Sequence, residues 1–173
     1  RFIDNVTSIT PGALKVGLAA VDVRPIKTPR KVKQNEASGN RELTYNELLV
    51  AGADGTPRLY KMHRETKRVI GDDANKIREY EKLPGRIFEL NFNKDGNLFA
   101  VGSSLDGSGE VRVYEVDSGK KVATFEKCTT PVFTVAFSPD SKTVASGGSD
   151  GKVRLNEAMS GKLVKEFNPF PGK

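Results

Sequence analysis

The sequence predicts an all-β fold assembled from repeated four-stranded antiparallel units. Three observations carry that expectation. First, residues 87–125 align with residues 132–167: Ile87 and Val132 are 45 positions apart, Phe125 and Phe167 are 42 apart. A longer loop, SSLDGSGE against GSDGK, accounts for the difference. Second, both copies break into short runs of alternating apolar and polar residues rich in Val, Thr and Phe, the pattern of half-buried strands. Third, Gly, Pro, Asp and Asn fall between those runs, where turns need them. Self-similarity at a period of about 40–45 residues marks units that bury their faces only by stacking on their neighbours.

Taken in order, the elements are these. RFID at the start aligns with RLNE, residues 154–157, so residues 1–15 read as the third and outer strands of a preceding, partial unit. Residues 16–81 form a diverged unit, with Leu18 set on Val132 and Pro25 on Pro139. Its strands are GLAAVDVRP, NELLVAGADG, TPRLYKM and KIREY, the last at residues 76–80. An insert at residues 26–46 replaces the first tight turn, and residues 64–75 lengthen the link to the fourth strand. Residues 82–126 and 127–173 are the two well-matched units. Tyr80 precedes Ile87 by the same interval as Phe125 precedes Val132, which fixes the register. Four antiparallel strands per unit, repeated, make the blade of a β-propeller. The expectation is thus a propeller segment of about three full blades plus a partial leading one.

At this point the stretch TTPVFTVAFSPDSKTVASGGSDGKVRLNEAMSGKLV and its copy from Ile87 resemble WD40 repeats, over nearly all of residues 18–167. A narrower resemblance links FIDNVTSITPGALK, ADGTPRLY, KRVIGDDAN and GSSLDGSGEVRVY to WD40 modules of bacterial proteins that also carry cytochrome c-type domains. That version implies an extracytoplasmic or periplasmic setting, which the residues themselves leave unknown. Any haem module would lie outside this sequence, which has no Cys-x-x-Cys-His. The family's blades hold a hydrogen-bonded set of His, Ser/Thr, Asp and Trp. Here Ser146 and Asp150 match two of the four, with Asp54 and Asp106 at the corresponding turns. Lys127-Cys128 and Lys82-Leu83 replace Gly-His, and the Trp position holds Asn156, Tyr114, Tyr60 or Ile3. The expectation is that this polar clasp is mostly eroded, leaving sheet packing and Asp-Gly turns to hold the blades.

A closed propeller needs about four to eight blades, because closure removes exposed sheet edges. Three readings follow: a piece of a longer propeller, favoured because the sequence opens in mid-blade; a ring completed by a second copy or a partner chain; or a short arc folding alone.

Chemistry-bearing patterns are few. GGSDG, residues 147–151, matches the G-x-S-x-G elbow of serine hydrolases, but a strand rather than a helix follows it. DGSGE, residues 106–110, offers oxygen ligands without the twelve-residue calcium loop. Asp72-Asp73 reads as a turn or cap pair. His63 is the sole histidine, so neither a zinc cluster nor a Ser-His-Asp set can form within the sequence. Cys128 is the sole cysteine and reads as a small buried hydrophobe. Asn5 begins an NVT sequon, relevant in a secretory host. No cofactor, metal site or catalytic set is expected, and no apolar run is long enough to span a membrane.

The net charge of +6 could steer anionic partners. No basic run interleaves aromatics for base stacking, which argues against nucleic acid. The basic insert 28–41, with Arg30, Lys31, Lys33 and Arg41, reads first as a disordered loop and second as a contact. In the family, partners dock where the fourth strand leads to the next first strand and the second to the third. The resemblance therefore implies contacts at Arg86, Phe88, Leu105, Asp106, Pro131, Phe133 and Ser149. Phe88 and Phe133 occupy equivalent places; core and interface roles stay equally open for them. The function expected is a non-enzymatic protein-interaction scaffold. Its partner is another protein or further blades, and a second copy of the chain could close the ring. The alternative is an accessory module of a bacterial redox protein.

Overall fold

The computed structural model describes residues 17–25, 30–33, 42–61, 76–125 and 128–170. Among them lie only strands, turns and loops: β1 (Leu18–Val23), β2 (Arg30–Lys33), β3 (Glu42–Tyr45), β4 (Glu47–Gly52), β5 (Arg58–Lys61), β6 (Lys76–Glu79), β7 (Arg86–Phe92), β8 (Leu98–Leu105), β9 (Ser108–Glu115), β10 (Lys121–Thr124), β11 (Val132–Phe137), β12 (Thr143–Gly148), β13 (Val153–Glu157) and β14 (Leu163–Phe167). They form three four-stranded antiparallel sheets, β1-β4-β5-β6, β7-β8-β9-β10 and β11-β12-β13-β14. Each sheet is a blade, and the innermost strands β1, β7 and β11 pack side by side.

The turns show why the sequence breaks where it does. Asp106 and Gly107 both have positive φ, 47° and 83°, between β8 and β9. That is the two-residue hairpin whose twist matches its flanking strands, and Asp-Gly is suited to it. Blades 1 and 3 instead turn through Asp54-Gly55 and Asp150-Gly151, where the Asp side chain accepts a hydrogen bond from the amide two residues on.

Two apolar cores form between the sheets. The core between blades 1 and 2 gathers Leu49, Leu59 and Tyr80 against Ile87, Leu90, Phe92, Phe99 and Tyr114. Tyr114, at the Trp position, stacks on Phe99 with centroids 5.2 Å apart, and Tyr80 meets Phe99 edge-on at 4.7 Å. The core between blades 2 and 3 is mainly aliphatic: Ala100, Val111 and Val113, with Phe125, against Val132, Val135 and Val144.

Polar clips cross the same seams. Asp22 on β1 accepts from the Phe92 amide at 2.8 Å; Glu89 and Asn91 on β7 accept from the Val135 and Phe137 amides at 3.3 and 3.2 Å. Arg24, buried at the end of β1, reaches buried Glu47 at 2.6 Å and clasps both carboxylate oxygens of Asp117 on blade 2 at 3.0 Å.

Two sequence expectations change. Within the insert, residues 30–33 and 42–45 are not a disordered loop but pair as an antiparallel two-stranded ribbon in strict one-to-one register, which pairs the backbone groups that face each other. The polar clasp is rebuilt rather than mostly lost, as described below. The partial leading unit, Asn5, Arg41, His63, Asp72-Asp73 and Lys127 lie outside the described residues.

Candidate functional site

Each innermost strand pairs with its neighbour out of step at one place, between Leu18 and Ala20, Ile87 and Glu89, and Val132 and Thr134. The extra residues are Ala19, Phe88 and Phe133. A bulge leaves one residue outside the ladder and re-aims its side chain. The bulges take both phenylalanines out of the core. They are 37% and 47% exposed, so neither is core. They meet each other instead, edge to face, with centroids 5.4 Å apart and planes at 81°.

The loops around this pair approach closely. Gly85, at φ +74°, sits so near Ser104 and Leu105 that a Cβ would collide with both. Gly148 likewise abuts the carbonyl of Pro131, which also accepts a hydrogen bond from Ser149 at 3.0 Å. Arg86 is exposed and forms no ion pair among the described residues. Leu105 is exposed at the end of β8. It lines a shallow depression of about 260 Å³ with Pro84, Ser103, Ser108, Gly109 and Glu110. Asp106 caps the adjoining hairpin. All of these residues lie on the end of the blades where β7 and β11 begin.

Beneath this surface lies the rebuilt clasp. Every third strand carries an arginine at one position, Arg58, Arg112 and Arg154, each tied to an acid near the hairpin: Asp54 at 2.6 Å, Glu110 at 2.6 Å, and Asp150. Glu79 and Glu166 on the outer strands hold Arg58 and Arg154 from the other side, while Arg112 reaches Glu81 and the Lys82 carbonyl at the exit of blade 1. The Tyr114 hydroxyl donates to the Glu81 carbonyl at 2.9 Å. Ser146 keeps a partner too, since Cys128 Sγ lies 3.6 Å from its hydroxyl. Burial pushes the Cys128 thiol up, so it stays protonated and inert. In blade 2 the matching pair is Leu83 and Val101, both buried, and there the polar contact has become apolar.

Sequence reasoning missed the Arg24–Glu47–Asp117 cluster, whose members are far apart in the chain. It also missed the arginine clasp, although the recurrence of Arg before Leu-Tyr, Val-Tyr and Leu-Asn was visible. No group of three or more His, Cys, Asp or Glu side chains suited to a metal occurs among the described residues.

The family model for the WD domain, G-beta repeat, matches residues 119–155. That span runs from the turn before β10 to the middle of β13, so one repeat takes the outer strand of blade 2 and the inner strands of blade 3. The chain is 33% identical over 87 residues to a WD repeat-containing protein 91 homolog of Dictyostelium discoideum, covering 50% of this chain and 11% of that protein. It is 38% identical over 102 residues to the human peptidylprolyl isomerase domain and WD repeat-containing protein 1, covering 59% and 13%. It is 26% identical over 134 residues to a mouse periodic tryptophan protein 2 homolog, covering 70% and 13%. The chain thus spans little more than a tenth of these relatives' length. Among solved structures, the computationally designed Ika4 protein matches with a TM-score of 0.62 at 17% identity, over 92% of this chain and 77% of that one. The designed Ika8 protein matches at 0.60 and 18%, over 88% and 36%. These relatives are eukaryotic, and the bacterial attribution and cytochrome c-type association find no support in them. With one repeat matched, its fold shared with designed propellers and its three blades in register, the chain is a β-propeller segment that carries a WD40 repeat at residues 119–155 and resembles WD40-repeat proteins.

Proposed function

We propose that the chain is a non-enzymatic interaction scaffold whose partner protein seats on the surface around Phe88 and Phe133. The carrying observation is that pair: two large aromatics on equivalent bulges, exposed, and braced against each other. Bracing matters because two pre-positioned rings lose little side-chain freedom when a partner covers them. Arg86 beside Phe88 adds an exposed guanidinium suited to a carboxylate or carbonyl on the partner. Aromatics and Arg are the side chains that carry interface energy, while Leu105, Pro131 and Ser149 would form the surrounding rim. The clasps below hold the loops, so the surface is presented rather than assembled on binding. WD40 proteins as a class bind protein partners, and this reading assigns the place.

The test compares Phe88→Ser/Phe133→Ser with the unmodified chain in quantitative affinity capture from the source cells. Both side chains are outside the core, so melting temperature should hold. The leading partner should then bind at least ~30-fold more weakly, the effect of removing a hot spot. An unchanged partner set with an intact fold sinks the proposal.

A further inference from the structure

The seam between blades 1 and 2 and the seam between blades 2 and 3 are alike in shape and unlike in bonding. Across the first, Arg24 clasps both carboxylate oxygens of Asp117. Arg78 donates to the Asp117 and Ser118 carbonyls at 2.9 and 3.1 Å. The Tyr80 hydroxyl donates to the Val116 carbonyl at 2.9 Å, out of contact with solvent. The second seam has the counterpart of none of these. In register, Asn93 stands where Arg24 does, Ala123 for Arg78, Phe125 for Tyr80 and Met159 for Asp117. Asn93 is spent within its own turn, where it bonds to the Asn97 side chain at 2.7 Å and accepts from the Leu98 amide. Ala123 is too short to cross, and Phe125 has no hydroxyl. A depression of about 280 Å³ opens at the outer side of this seam, with Leu98, Val122 and the exposed Met159 in its lining. The bridges that the second seam does show, from Glu89 and Asn91 to the Val135 and Phe137 amides, sit on the innermost strands.

We propose that blades 1 and 2 move as one body and that the chain opens along the seam between blades 2 and 3, hinged at its innermost strands. Each sheet keeps its own ladder, and only the outer part of the seam parts. Local openings follow the places where the fewest interactions must break. In the first seam an opening breaks charge-assisted hydrogen bonds and a buried hydroxyl bond; in the second it breaks mainly apolar contact between small side chains. The line runs between Phe88 on blade 2 and Phe133 on blade 3, so the surface proposed for docking spans both bodies. That link rests on the reading given above, whereas the opening itself is tested without a partner.

The chain carries its own probe, because its sole cysteine, Cys128, is buried in the core between blades 2 and 3. Leu83 is the counterpart of Cys128 in the core between blades 1 and 2. Leu83→Cys in a Cys128→Ser background therefore reports the first seam. Labelling by DTNB is followed in the folded full chain at rising urea. Cys128 should label at least ~10-fold faster than the thiol at position 83, with a shallower urea dependence than global unfolding because less surface is exposed. Truncating Leu83 loosens its own core, so the measured difference is a lower bound. Phe125→Tyr sets a hydroxyl opposite Ala158, the counterpart of Val116, and should slow Cys128 labelling about 5-fold, the effect of one added hydrogen bond. Ala123→Arg, which restores the reach of Arg78 toward the Met159 and Ser160 carbonyls, should slow it as well. Tyr80→Phe should speed labelling at position 83 and leave Cys128 unchanged. Labelling of Cys128 that tracks global unfolding in urea overturns the proposal. So does a rate that neither Phe125→Tyr nor Ala123→Arg changes in a folded chain, since the thiol would then be reached by fraying of its own loop.

Discussion

A single substituted position shows how this chain tolerates losing its tryptophans. Tyr114 is fully buried at one such position, and its ring stacks on Phe99 while its hydroxyl reaches across the seam to the Glu81 carbonyl. A tyrosine supplies both the apolar face and the buried donor that the site requires. Tyr114→Phe keeps the stack and leaves that carbonyl without its donor. We expect a loss of about 1 kcal/mol in urea unfolding, with no change in the sheet signal by circular dichroism. Asn156 solves the same position in blade 3 with a hydrogen bond from its side-chain amide to the Gly161 carbonyl at 2.9 Å. Neither solution is legible from residue type alone, since each depends on a carbonyl brought there by another strand or turn.

Among the elements, the hairpins carry the clearest consequences. Gly107 has φ +83° and open space around its α-carbon, so an added methyl would meet no neighbour and only backbone strain would register. Gly107→Ala should cost roughly 1–2 kcal/mol, measured by chemical denaturation, and an unchanged midpoint would refute the assigned turn. The Arg clasps make the outer strands sensitive to acid. Hydrogen bonds from Arg154 to Asp150, from Arg58 to Glu79 and from Lys152 to Glu166 hold these carboxyls below the usual range. With native pKa values depressed, the unfolded chain takes up protons first as pH falls, so acid favours unfolding. Stability should stay level down to about pH 5, then fall below about pH 4 as the native carboxylates protonate. Denaturation midpoints at pH 7, 5 and 3.5 would show this, and added salt should shrink the difference because these groups are partly exposed. A midpoint independent of acid would remove the clasps from the stability argument.

Over the whole molecule, the blades are coupled by what crosses the seams. Arg24 is one such link, since it joins Glu47, which has no solvent exposure, to Asp117 of the next blade. Arg24→Leu breaks this buried ion pair and should cost about 3–5 kcal/mol. It should also separate the unfolding of blade 1 from that of blades 2 and 3 in hydrogen exchange, whereas a single unbroken transition would show that apolar packing alone couples them. The strands and turns of the four-strand unit and the alignment of one unit on the next were determined by the sequence, because alternation and turn chemistry are local and the repeat supplies three readings of one pattern. The equivalence of Phe88 and Phe133 was visible there as well. Whether they pointed inward or outward was decided only by tertiary structure, because a one-residue slip in pairing turns a strand position out of its face. The insert's two-stranded ribbon and the Arg24 cluster were decided at the same level. Both depend on pairings between segments distant in sequence, which local propensity cannot specify.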